Sequence, residues 1–118
     1  MITKWDLLKI NAKEMLKHSK LEYTQYEKTG EIVYLQQAGE KLFNAFSRYL
    51  EIKYNVITTN HDDIRMLSTR DQRNFDLMSK MDALHEFFYH GGMSEAHGYA
   101  KKTYNEVVKS LENRINAL

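Results

Sequence analysis

The chain has 118 residues, a formal net charge of +1, 42% hydrophobic residues, and neither cysteine nor proline. This length bounds it to one domain, residues 1–118, and the hydrophobic content is high enough for a core, which excludes a disordered or low-complexity chain. The absence of cysteine excludes disulfides and thiolate metal sites, and the balanced charge offers no electrostatic reason to expect binding to nucleic acid or anionic membrane.

The sequence also carries no signal for export or membrane insertion. No apolar stretch approaches the roughly 18 residues that are needed to cross a bilayer. The first 20 residues are charged throughout and lack the apolar block of a signal peptide. We therefore expect a cytoplasmic protein.

The absence of proline predicts long helices, of which the first covers the N-terminal segment. Apolar residues recur at spacings of three and four from Trp5 to Tyr26, with lysines mostly on the other side, which is typical of an amphipathic helix. Thr3 followed by Asp6 predicts a capped start. Gly30 marks the break after this helix.

The second segment runs from about Glu31 to Tyr54 and repeats the same apolar stripe. Gly39 lies inside it, where we expect the close approach of another helix and not a helix end. The stretch from Asn55 to Asn60 is rich in asparagine and β-branched residues, which are poor helix formers, so we predict a second break there.

The third segment opens with Asn60 as an N-cap, followed by two aspartates that suit the positive end of a helix dipole. A short helix near residues 62–67 can come first, followed by a new helix that starts at Ser68 and Thr69. The long helix that follows ends in the aromatic string of residues 84–90 and carries an apolar stripe, which consists of Phe75, Met78, Met81, Leu84 and Phe88.

The fourth segment follows a break at Gly91 and Gly92, with Ser94 as its predicted N-cap. Its apolar residues recur at spacings of four, four, three, four, four and three, which is a heptad seam. Together the segments predict an all-α fold, an up-and-down bundle of four long helices with room for one extra short helix near residues 62–67.

The aromatic string predicts a second packing surface. Phe87, Phe88 and Tyr89 follow one another and cover most of the circumference of a helix, so one face enters the bundle and another must meet a fifth helix or a second subunit. The wide apolar perimeter and the nearly neutral charge favour a homodimer.

The histidines do not form a recognisable metal site. His85 and His90 are five residues apart, which separates them by roughly 140° around a helix, so they do not share a ligand face. His61 with Asp62 and Asp63 is explained better as a charged helix start than as a cation site, because no two ligands show an i, i+3 or i, i+4 spacing. We predict no metal and no cofactor, and find no phosphate-binding glycine loop, serine elbow or cysteine nucleophile.

Three short motifs occur in order along residues 35–115. The first, at 38–45, is a small residue followed by Glu-Lys-Leu, an aromatic residue and alanine. The second, at 60–64, is a helix start like Ser-His-x-x-Leu, and the third, at 83–92, is a string like Leu-His-x-x-Phe-Tyr-x-Gly. This combination resembles the PaREP1 family of helical proteins within the broader HEPN class. The resemblance implies a helical bundle whose relatives are often dimers and include toxin ribonucleases and nucleotide-associated helper domains.

One feature of the catalytic members of that class is missing. HEPN ribonucleases carry an arginine followed after four to six residues by a histidine, so that a guanidinium clamps the phosphate while an imidazole moves protons. No arginine of this chain has a histidine at that distance. The nearest pattern is Lys80, four residues and His85, in which lysine lacks the bidentate fork of arginine.

The resemblance implies a ligand site in which Lys41, His61, His85 and Tyr89 converge at one end of the bundle and Lys41 holds an anion. We expect a non-enzymatic bundle that dimerises and binds a partner protein or a small anionic, nucleotide-like ligand, in a defence, toxin–antitoxin or mobile-element context. The alternative is a metal-independent HEPN-type ribonuclease. In that alternative RNA is the partner, His85 is the general acid/base and Lys80 stabilises the phosphate.

Overall fold

A computed structural model describes residues 1–58, 60–89 and 97–118, and these residues form helices without any strand. In chain order the helices are α1 (Lys4–Thr29), α2 (Ile32–Tyr54), α3 (His61–Ser68), α4 (Gln72–Tyr89) and α5 (His97–Asn116). The long helices pack in the cyclic order α1, α2, α4, α5, and α3 packs against α2 and α4. The predicted all-α bundle is confirmed, and α3 is the short helix expected near residues 62–67.

None of the helices in the described residues has both the length and the apolar composition that a membrane span requires.

The ends of α1 form as their local sequence predicts. The Thr3 hydroxyl accepts a hydrogen bond from the Asp6 backbone N–H (3.1 Å), and the Asp6 carboxylate accepts one from the Thr3 backbone N–H (3.0 Å). This second bond is the main reason that the pKa of Asp6 is lowered. Gly30 has a φ of 73°, and its N–H closes the helix on the carbonyl of Tyr26.

The break after α2 is also confirmed. Asn55 adopts a left-handed conformation with φ of 56° and ends the helix. The buried carboxylate of Glu51 accepts a hydrogen bond from the Thr58 backbone N–H (3.0 Å), which holds the turn against α2. The same carboxylate forms an ion pair with Arg48 within α2 (2.5 Å). Asn60 then caps α3 by accepting from the N–H of Asp63 (2.9 Å).

The start of α4 differs from the prediction. The hydroxyls of Ser68 and Thr69 each donate to the carbonyl oxygen three residues earlier, at 2.6 and 2.7 Å, so they close α3 and do not open the next helix. Asp71 instead accepts a hydrogen bond from the backbone N–H of Arg73 (2.8 Å), and α4 begins at Gln72. The restart predicted at Ser68 and Thr69 was therefore wrong. The predicted break at Gly91-Gly92 and the predicted Ser94 cap lie outside the described residues.

The apolar stripes of the helices meet in one core. The predicted seam of the last helix is confirmed for its five central members, which are all buried: Ala100, Tyr104, Val107, Leu111 and Ile115. Its predicted last member, Leu118, is instead 38% exposed, and its predicted first member, Ala96, lies outside the described residues. The close approach predicted at Gly39 is also confirmed. A Cβ atom at that position would lie only 2.6 Å from Cδ2 of Phe88, which is fully buried on α4.

One position of the α4 stripe is polar. Phe75, which the spacing assigned to the buried face, is 44% exposed, whereas its neighbour Asn74 is fully buried. The Asn74 side chain donates to the hydroxyl of Tyr54 (3.1 Å) and accepts from the guanidinium of Arg114. A buried amide is stable there because both of its polar atoms have partners, and it links α2, α4 and α5.

Candidate functional site

Helices α2, α3 and α4 frame a partly enclosed cleft with a volume of about 340 Å³. Its apolar lining consists of buried side chains, namely Leu42, Met81, Leu84 and Phe88. Polar and aromatic side chains from all three helices surround this lining: Glu40, Phe43, Asn44, His61, Arg65, Asp82, His85 and Tyr89.

The α3 side of the cleft is formed by His61 and Arg65, which are four residues apart and therefore share one face of the helix. The imidazole of His61 lies against the ring of Phe43, with the ring centroids 4.4 Å apart. The Arg65 guanidinium donates to Oδ2 of Asp82 on α4 through Nη1 (2.6 Å). That hydrogen bond raises the pKa of Arg65 and connects α3 to α4.

The α4 side carries Asp82, His85 and Tyr89, whose spacing of three and four residues places them on one face. The rings of His85 and Tyr89 are in contact, with centroids 4.4 Å apart. The Tyr89 hydroxyl donates to Oε1 of Glu40 on α2 (2.9 Å), and this bond raises the pKa of Tyr89. Of the aromatic string that predicted a second packing surface, Phe88 is buried in the core, whereas Tyr89 is 40% exposed and borders the cleft.

The cleft is lined by one guanidinium and two carboxylates. Arg65 pairs with Asp82, whereas Glu40 accepts a hydrogen bond from the neutral hydroxyl of Tyr89. The imidazoles of His61 and His85 supply further hydrogen-bonding groups that are able to donate or accept. The arrangement combines ring faces for stacking with polar groups for orienting a small ligand.

Three of the predicted ligand residues, His61, His85 and Tyr89, lie at this cleft. Lys41 does not join them, because its ammonium group pairs with the carboxylate of Glu22 on α1 (2.9 Å). Adjacent residues of a helix point about 100° apart, so when Glu40 faces the cleft its neighbour Lys41 faces α1. His61, His85 and Tyr89 therefore converge at the cleft as expected, but the prediction that Lys41 joins them to hold an anion was wrong, and the α2 residue that lines the cleft beside it is Glu40, which has the opposite charge.

Lys80 is also separate from His85. It is exposed and lies 3.9 Å from Glu106 on α5, and it does not line the cleft. Five residues of helix rotate Lys80 and His85 about 140° apart, which directs one toward α5 and the other toward α3. The cation that shares the cleft with His85 is Arg65.

Sequence reasoning missed Glu40, Phe43, Arg65 and Asp82. The spacing of His61 with Arg65 and that of Asp82 with His85 were visible as same-face pairs. Nothing in the spacing, however, indicated that these two faces are opposed across one cleft. Within residues 1–58, 60–89 and 97–118, no group of three or more histidine, aspartate or glutamate side chains is arranged to hold a metal ion.

Comparison of the chain with models of known protein families, with curated proteins and with solved structures finds no match.

Proposed function

We propose that the protein is a non-enzymatic helical bundle that binds a small, planar, anionic ligand of nucleotide-like chemistry in the cleft between α2, α3 and α4. The observation that carries this proposal is the combination of aromatic rings, an apolar lining and an accessible guanidinium in one partly enclosed cleft. The resemblance to the HEPN class, the homodimer and the cytoplasmic location predicted from the sequence are retained as parts of the proposal.

The rings around the cleft support recognition of a flat heterocycle. Phe43 and His61 form one ring pair and His85 and Tyr89 form another, on different sides of the same opening. Stacking of a base on an aromatic side chain contributes about 1–3 kcal/mol. The volume of about 340 Å³ is near the lower end of the usual range for ligand pockets, which suits a mononucleotide better than a larger ligand.

The polar groups support recognition of an anion. Arg65 uses Nη1 for Asp82, and because a guanidinium has five N–H donors, others remain for a phosphate. The Arg65 side chain is 49% exposed, so a ligand in the cleft can reach it. Of the two carboxylates at the cleft, Asp82 is compensated by the guanidinium of Arg65, whereas Glu40 accepts a hydrogen bond from a neutral hydroxyl and keeps its charge.

Titration of AMP, adenosine and inorganic phosphate into the isotope-labelled protein, followed by NMR and calorimetry, tests this proposal. AMP should bind more tightly than either fragment, and the shifted resonances should belong to residues of the cleft. Arg65→Gln should reduce AMP affinity to about that of adenosine, a loss of roughly tenfold or more for a charge-assisted contact of 1.5–3 kcal/mol. Phe43→Ala should weaken AMP and adenosine equally.

Two variants serve as matched controls. Lys41→Gln removes a cation from the same helix as Glu40 but outside the cleft, and His18→Gln removes an exposed imidazole from α1. Both should leave AMP affinity unchanged. The proposal fails if none of the three ligands shifts cleft resonances in the folded protein, or if Lys41→Gln weakens AMP as much as Arg65→Gln does.

A metal-independent ribonuclease is the second candidate, and one observation favours it. Arg65 lines the same cleft as His61 and His85, which brings together the guanidinium and imidazole groups that the linear spacing lacks. In this candidate Arg65, and not Lys80, stabilises the phosphate while His85 transfers protons.

The ribonuclease candidate predicts cleavage of single-stranded RNA in the presence of EDTA. His85→Gln and Arg65→Gln should each lower the cleavage rate by a factor of about 100 or more, as expected for the loss of acid–base or electrostatic catalysis. Lys80→Gln should have no effect. Absence of cleavage by the unsubstituted protein would exclude this candidate and leave the binding proposal intact.

A further inference from the structure

The outer face of α1 is uncovered in the described chain and carries a regular pattern. The buried side of α1, which includes Ala12, Leu16 and Tyr23, packs against the bundle. On the opposite side, seven exposed residues follow one another at spacings of three and four, and we call them the outer seam: Leu7, Ile10, Glu14, Lys17, Leu21, Thr24 and Lys28. The three apolar members are 53–60% exposed.

A spacing of three and four is the pattern by which two helices pack along a common seam. In an antiparallel pairing of two copies, centred between residues 15 and 16, Ile10 of one copy faces Leu21 of the other, and Leu7 faces Thr24. Each contact occurs twice because a two-fold interface is isologous. The pairing thus sets Ile10 and Leu21 against each other on both sides of the centre, while Leu7 meets Thr24 at each end of the contact.

The charges of the outer seam select this direction. In the antiparallel pairing, Glu14 faces Lys17 of the second copy, so the centre of the contact holds two complementary ion pairs. A parallel pairing would set Glu14 against Glu14 and Lys17 against Lys17, which repel. Within the described residues no ion pair involves Lys17, and the ion-pair partner of Glu14 is the imidazole of His18 on the same helix (3.6 Å).

Two of the charges that flank the outer seam are compensated within one copy. Lys20 pairs with Glu112 of α5, and Glu27 pairs with Lys101 of α5 (2.7 Å). Lys13 lies on the same side of α1 as Lys20 and is not part of either pair. The two ion pairs therefore add no net charge to the contact, and the charge next to the outer seam on this side comes from Lys13.

We propose that two copies of this chain associate through the outer seam as an antiparallel homodimer. The contact from Leu7 to Thr24 is about 26 Å long at 1.5 Å per residue. It includes only three large apolar side chains from each copy, so the dimer is weak and its population depends on concentration and salt. The cleft between α2, α3 and α4 lies outside this contact, so failure of the ligand proposal leaves the dimer proposal unaffected, and the reverse also holds.

Sedimentation of the full chain over a range of concentrations tests the association. The weight-average mass should rise with concentration from 14.0 kDa toward twice that value. Lys17→Glu and Glu14→Lys should each remain monomeric, because like charges then face each other at the centre. The double variant Glu14→Lys with Lys17→Glu should dimerise again, since it restores opposite charges in the antiparallel pairing. Lys109→Glu, which alters an exposed lysine of α5, is the matched control and should dimerise as the parent does.

Cysteine cross-linking tests the direction, and the chain contains no cysteine of its own. Ile10→Cys and Leu21→Cys are purified separately, mixed and oxidised with oxidised glutathione. The antiparallel dimer predicts the mixed disulfide between positions 10 and 21, whereas a parallel dimer predicts disulfides between identical positions. The proposal is overturned if the parent chain stays monomeric, if Lys17→Glu dimerises as the parent does, or if the identical-position disulfides predominate.

Discussion

Replacing Gly39 with alanine places a methyl group against the ring of Phe88, at the contact that brings α2 and α4 together. The new Cβ would lie 2.6 Å from Cδ2 and 3.2 Å from Cε2 of that ring. Carbon atoms prefer separations of about 3.5–4.0 Å, so the ring must move by roughly 1 Å. Phe88 is fully buried and contacts Tyr23 and Tyr104, with centroid distances of 6.4 and 6.3 Å, which restricts that movement.

Two opposing terms set the size of the effect. Inserting a methyl group into a packed core costs about 1–3 kcal/mol. Alanine in a helix interior is favoured over glycine by about 0.5–1 kcal/mol. The net expectation is that Gly39→Ala lowers the free energy of unfolding by up to about 2.5 kcal/mol.

A double-mutant cycle separates these terms. Phe88→Val removes the δ and ε carbons that Gly39→Ala would meet, so in that background the alanine should stabilise the protein by about 0.5–1 kcal/mol. The coupling between the two positions should therefore be about 1–3 kcal/mol. Urea unfolding followed by far-ultraviolet circular dichroism measures all four proteins. The reasoning is refuted if Gly39→Ala stabilises the parent protein as much as it stabilises the Phe88→Val variant.

Two stacked tyrosines of the core provide the remaining predictions. The buried hydroxyl of Tyr23 has no hydrogen-bond partner among the described residues, so Tyr23→Phe should leave the free energy of unfolding unchanged or raise it by up to about 1 kcal/mol. Tyr104→Phe is the matched control, because it removes the 2.7 Å hydrogen bond between Tyr104 and Ser19, and it should lower the free energy of unfolding by about 1 kcal/mol. If urea unfolding shows equal effects for the two variants, the difference in hydrogen bonding assigned to the two hydroxyls is contradicted. Burial raises the pKa of Tyr23 from 10.0 to about 12 and also raises that of Tyr104. The unfolded chain therefore loses these protons first, so stability should be fully present below pH 10 and should fall as the pH rises from 10 to 12. Tyr23→Phe should make this loss of stability with pH smaller. Urea midpoints that stay constant between pH 10 and pH 12 would contradict the raised pKa values of the two tyrosines.

The helices and most of their ends were predictable because they depend on neighbouring residues. The capping pair Thr3 and Asp6, the left-handed residue Gly30 and the N-cap Asn60 all act within a few residues of their own position. The same local rules failed between α3 and α4, where Ser68, Thr69 and Asp71 were all able to cap a helix. Local preference alone did not decide which of them would do so.

The sequence by itself therefore determined that the chain forms long amphipathic helices, whereas His61, His85 and Tyr89 were selected as site residues through the resemblance of short motifs to a known family. Only the tertiary structure decided that Glu40, and not Lys41, faces the same cleft, and that Arg65 lies beside Asp82. The physical reason is that helical periodicity specifies the angle between residues of one helix, at about 100° per residue. The rotation of one helix relative to another is set instead by packing, as in the contact of Gly39 with Phe88.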